Sequence, residues 1–135
     1  MAILLDTGVL YAWHDRRDQW HERAVTLFRA EESSLILPAP VIPEIDYLLG
    51  KLSGAPVRTA FYRSLASGKY FIVDLSRDGY SRVEELNRQF ADLHLGFVDA
   101  AVVAISEMTG VRRIATVDRR HFTPLAAAFG LELLP

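Results

Sequence analysis

Four acids stand where this chain otherwise keeps apolar or turn-forming residues, and they define the chemistry open to it. Asp6 closes the apolar run "AILLD", Asp118 closes "RRIATVD", Glu44 lies within "VIPEIDYLL", and Asp99 opens the apolar stretch "FVDAAVVAISEMTG". Each also has an ordinary use. Asp after a strand commonly caps the next helix or forms a turn, and a carboxylate in a first helical turn gains about 0.3 to 1 kcal/mol from the helix dipole. Asp99 is the most demanding, because a charged group on an otherwise buried helix needs a donor or a cation. If the acids converge, their repulsion in a partly dry site raises their pKa values or requires a counter-ion. Cysteine is absent, and His14, His21, His94 and His121 form no pair at metal-ligand helical spacing. Hard carboxylate oxygens in small number suit Mg²⁺ or Mn²⁺. A metal so held can turn water into a nucleophile and neutralise charge on a phosphodiester.

The elements that must position these acids follow from hydrophobic periodicity. Short apolar runs at 2–6, 34–40, 70–76, 112–118 and 131–135 read as strands, the second closed by prolines. A turn into a helix follows Asp6, and helical spacing marks 20–30, 57–67 and 80–93. Pro43 suits the first turn of the helix "EIDYLLGKL". The stretch from Phe97 is apolar nearly all round, as a helix buried inside a domain is. Strands alternating with helices of this length indicate crossover connections: an α/β fold, three layers deep, with a parallel sheet of four to five strands between helices. Ligands in such sheets bind beyond the carboxyl ends of the strands, which is where Asp6 and Asp118 are expected. On the helix after Pro43, Glu44 and Asp46 flank the apolar stripe on opposite edges, and helical phase does not choose between them.

Composition bounds the remaining possibilities. A chain of 135 residues, half of them apolar and with a mean hydropathy of +0.13, is read as one domain, 1–135, with a sizeable core. The longest apolar run in the C-terminal half, "AAVVAI", is far short of the ~20 residues of a membrane span, and no leader pattern precedes the first strand. A soluble, cytoplasmic protein is expected. The net charge of −2 and pI near 6.1 give no bulk electrostatic case for nucleic acid. Thirteen of the fifteen basic residues are Arg, the better bidentate partner for phosphate. Arg119 and Arg120, directly behind Asp118, are the candidates for the rim of a site, while Arg112 and Arg113 fall at the opposite end of their strand. His121 is expected to serve as an ordinary surface or capping residue. "LLGKLS" lacks the first Gly and the Ser/Thr of a phosphate-binding loop.

With these residues in order, the chain resembles the PIN-domain nucleases, and among them the VapC-type toxins of bacterial toxin–antitoxin pairs. The likeness runs from "ILLDTGVLYA" through "VIPEIDYLL" and "ADLHLGFVDAAVVA" to "IATVDRRHF". It implies a PIN-like α/β/α fold in which Asp6, Glu44, Asp99 and Asp118 hold Mg²⁺, with Mn²⁺ able to substitute, and it selects Glu44 over Asp46. It also implies that the Thr116 hydroxyl joins the site, and that Thr7, beside Asp6, occupies a commonly polar position there. The activity implied is endonucleolytic cutting of structured RNA such as tRNA or rRNA. The partners implied are a second copy of the chain in a homodimer and a VapB-type antitoxin in a hetero-oligomer. The alternative is a catalytically silent PIN-like module that binds RNA or protein through the same groove.

Overall fold

The computed structural model describes all residues, 1–135. Its strands are β1 (Ile3–Leu5), β2 (Leu35–Pro38), β3 (Phe71–Val73), β4 (Arg113–Ala115) and β5 (Glu132–Leu134). They form one sheet in the order β3-β2-β1-β4-β5, and every neighbouring pair is parallel. Successive side chains of a strand point to opposite faces. Ile3, Leu4 and Leu5 are all fully buried, so both faces are covered at the centre of the sheet, while edge strand β3 leaves Phe71 and Ile72 exposed. That is the condition under which parallel sheets occur.

The covering elements are α1 (Thr7–His14), α2 (His21–Ala30), α3 (Ile42–Leu52), α4 (Ala55–Ala66), α5 (Arg77–Gln89), α6 (Gly96–Thr109) and α7 (Arg119–Phe129). The α6 helix is buried without interruption from Ala100 to Ser106, as its apolar sequence requires, and ends at Gly110 in the left-handed region (φ 74°). Pro43 occupies the first turn of α3. The apolar stretch expected as one helix to residue 93 instead ends at Gln89 and is followed by a separate turn at Ala91–Leu93. The strands are shorter than their apolar runs suggest, because three or four paired residues suffice before the chain turns away. The segment 119–129, which the sequence reading left unassigned, is a helix despite Pro124 inside it.

This topology determines where a site can form. From β1 the chain winds outward through β2 to β3, then crosses back to lay β4 on the other side of β1. The connections leaving β1 and β4 therefore diverge, and the crevice between them is the switch point at which open α/β sheets bind ligands. Asp6 follows β1 and Thr116 follows β4. The Asp6 N–H donates to the Ala115 carbonyl at 2.9 Å, so the two strand ends are tied together at that crevice. Gly8 permits the close approach. A Cβ at that position would lie 2.5 Å from Cγ2 of Val117.

Candidate active site

Asp6 occupies the position before α1 where an acid usually caps, yet its carboxylate makes no capping hydrogen bond to the helix. It is instead 5% exposed and accepts a hydrogen bond from the Thr116 hydroxyl at 2.8 Å. The fully buried Thr116 oxygen in turn accepts from the backbone N–H of Asp118 at 3.0 Å. One threonine thus fixes the strand-end acid of β1 and the turn that carries Asp118. Burial drives the Asp6 pKa up to about 6, against the lowering effect of hydrogen bonds from Thr116 and the Thr7 backbone; the charges of Glu44 and Asp118 raise it further.

Asp118 begins α7 and uses its two oxygens separately. Its Oδ1 accepts from the His121 backbone N–H at 3.1 Å, a helix N-cap, while Oδ2 lies 2.9 Å from His121 Nδ1. The same Nδ1 is 2.9 Å from Oδ2 of Asp99, which the first turn of α6 brings to the crevice. Burial pushes the Asp99 pKa up to about 7, reinforced by the neighbouring charges of Asp6, Asp118 and Glu44 and opposed by His121. Glu44 enters as an exposed residue in the first turn of α3, within electrostatic reach of both buried acids.

Asp46 faces elsewhere. It forms an ion pair with the Arg58 guanidinium, Nε to Oδ1 at 2.9 Å, and accepts a further hydrogen bond from the Tyr62 hydroxyl. Thr7 is buried with its hydroxyl unpartnered. Arg119 donates to the carbonyl of Pro135 at 2.7 Å, which ties it to the end of the chain, and Arg120 is exposed. Arg113 pairs with Glu31 at 2.8 Å and donates to the Met1 carbonyl, at the amino end of the sheet as expected. His121 is not the surface or capping residue that the sequence suggests. Asp118 is the cap, and the His121 ring, 21% exposed, packs between two acids. The signal was the three-residue spacing from Asp118, which faces both residues the same way once 119–129 is recognised as a helix.

The donor set fits a divalent cation. Asp99, Asp118 and His121 offer ligand atoms that all lie within 4.8 Å of one another. The ion pairs made by the four acids are those of Asp99 and Asp118 with His121; none involves Lys or Arg. Buried Asp6 and largely covered Asp99, both with raised pKa values and neither paired with Lys or Arg, form a site short of positive charge.

A parallel α/β domain with acids gathered at its switch point fixes where the site lies and what charge it carries, and comparison with known proteins identifies the family. Residues 3–127 match the model of the PIN domain, and the chain belongs to that family. It is 29% identical to Ribonuclease VapC26 of Mycobacterium tuberculosis over 126 residues, 91% of each chain. The crystal structure of M. tuberculosis VapC20, described as a toxin that cleaves the sarcin-ricin loop, superposes with a TM-score of 0.85 at 20% identity, covering 99% of this chain and 100% of that one. A toxin–antitoxin complex from Klebsiella pneumoniae superposes at 0.74 with 16% identity, over 99% and 97%.

Proposed function

We propose that this protein is a VapC-type endoribonuclease, the toxin of a toxin–antitoxin pair, and that Asp6, Glu44, Asp99 and Asp118 hold its Mg²⁺ or Mn²⁺. The observation that carries this reading is the cation-poor acidic cluster at the β1–β4 crevice, where burial makes the charged forms of Asp6 and Asp99 costly and a positive charge would offset that cost. A bound divalent ion lowers the pKa of a water and offsets charge on the phosphodiester. The chain supplies placement. Thr116 orients the Asp6 carboxylate, α6 and α7 bring Asp99 and Asp118 together, and exposed Glu44 completes the set from α3. Asp118, whose Oδ2 remains free of the capping bond, orients the attacking water.

The substrate we propose is structured RNA such as tRNA or rRNA, in keeping with the described target of VapC20. Phosphate contacts come from Arg120 in preference to Arg119, whose guanidinium is held by Pro135. The whole chain acts as one domain that forms a cytoplasmic homodimer and binds a VapB-type antitoxin. The structural neighbour from Klebsiella pneumoniae, a toxin–antitoxin complex, supports that partner. The test is incubation of the antitoxin-free protein with total RNA and Mg²⁺, with the new ends mapped. New ends at defined positions, lost in Asp99→Asn and on addition of EDTA, are expected. RNA bound without new ends would instead identify a silent binding module.

A further inference from the structure

We infer that His121 is a direct ligand of the metal and shifts the site from Mg²⁺ towards Mn²⁺. The inference rests on the metal reading above and adds a nitrogen donor to its four carboxylates. Nδ1 of His121 lies 2.9 Å from Oδ2 of Asp99 and 2.9 Å from Oδ2 of Asp118. Adjacent ligand atoms on an octahedral ion with bonds of about 2.1 Å are separated by about 3 Å. Both distances from Nδ1 match that spacing, and ligand atoms of the three residues all lie within 4.8 Å of one another, close enough to share one ion.

Local structure holds the ring there. Asp118 caps α7 by accepting from the His121 backbone N–H at 3.1 Å, which fixes the residue's first-turn position and aims its ring back at the acid. The ring is about four-fifths buried, and the Asp99 side chain is 14% exposed. Without a metal, Nδ1 donates to Asp118 Oδ2, with Asp99 Oδ2 at ion-pair distance; as a ligand it presents its lone pair, with the proton on Nε2. The other buried or bonded histidines are engaged elsewhere. His21 Nδ1 is on the Ala12 carbonyl, and His14 packs edge-on against Phe61.

An all-oxygen set suits Mg²⁺, whereas an imidazole donor favours first-row transition ions. The consequence is a metal preference written by one residue on α7. The test is pulsed electron paramagnetic resonance of the full chain loaded with Mn²⁺, with ¹⁴N or ¹⁵N histidine. We expect a directly bound nitrogen in the parent and none in His121→Ala. Calorimetry should show Mn²⁺ affinity falling by about tenfold or more in that variant, with Mg²⁺ affinity changing by less than about threefold. Mn²⁺ bound by the parent without nitrogen coupling, or coupling that survives His121→Ala, overturns the ligand assignment while leaving the acid site intact. Mn²⁺ bound equally by the parent and Asp6→Asn overturns the acid site itself.

Discussion

Replacing Asp6 with Asn should make the metal-free protein more stable at neutral pH. The carboxylate is 5% exposed and burial lifts its pKa from 3.8 to about 6. An acid whose folded pKa lies above its unfolded one binds more protons when folded between the two values. Its contribution to stability is therefore complete below about pH 4, declines as pH rises to about 6, and stays lower above that. Keeping Asp6 ionised at pH 7.5 costs about 3 kcal/mol. Asn retains an oxygen to accept from Thr116 and carries no charge. It also relieves Asp99, whose pKa the Asp6 charge helps to raise.

The assay is thermal unfolding of parent and Asp6→Asn between pH 4 and 7.5 in EDTA. Comparison is necessary because half-buried His14, its pKa lowered to about 4, acts in the opposite sense over the same range: stability falls as pH drops from 6.5 to about 4, where the unfolded ring takes up a proton that the folded one does not. Asp15, held near 2 by hydrogen bonds from Tyr11 and Arg17, acts only below pH 4. Both cancel in the difference. The variant's advantage should widen by about 3 kcal/mol, roughly 10 °C in Tm for a chain of this size, between pH 4 and 7.5. Metal at about 100 times its Kd should then stabilise the parent by about 2.7 kcal/mol and the variant by less. Parallel Tm curves for the two proteins in EDTA would refute the claim that the fold holds Asp6 charged at a cost.

Two further substitutions probe the positioning of the site. Gly8→Ala places a methyl 2.5 Å from Val117 Cγ2 and should cost about 1–3 kcal/mol and most RNA cleavage, with Tm and cleavage both recovered in Gly8→Ala/Val117→Ala; a single variant with the parent's Tm contradicts the packing. Asp46→Asn releases Arg58 and Tyr62 at the surface and should lower Tm slightly while leaving cleavage at the parent rate. A large loss of cleavage there would mean that Asp46, rather than Glu44, serves the site.

The sheet was legible because its strands are near-continuous apolar runs closed by an acid, a proline or a turn, and the burial of Ile3 to Leu5 is what such runs require. Helix α6 was legible for the same reason. Helix α7 was not, since "RRHFTPLAAAF" opens with three polar residues and contains Pro124, although Phe122 and Leu125 lie buried on one face. Missing that helix concealed the role of His121, which depends on a three-residue helical spacing. The fate of Arg119 could not be read either: its partner is the last residue of the chain, brought near only when β5 aligns beside β4. Glu44 and Asp46 were indistinguishable by phase, and what separates them is a residue on another helix, Arg58 of α4.

The geometry also resolves why strand-end acids were ambiguous in the sequence. Asp6 stands at a cap position with extended backbone (φ −88°, ψ 164°) but turns its carboxylate to Thr116 instead of capping. Asp118 does cap. One oxygen satisfies the first turn of α7 and the other bonds the His121 ring, so the bond that stabilises the helix also sets the direction of the second oxygen. A cap removed at Asp118 would therefore loosen α7 and misaim the site together, whereas a neutral Asp6 would leave the fold better off and the site without its most buried acid. The two residues look alike in sequence, each an Asp after a short apolar strand. They differ in burial: Asp6, after the central strand, is 5% exposed, whereas the Asp118 side chain is 35% exposed at the start of α7.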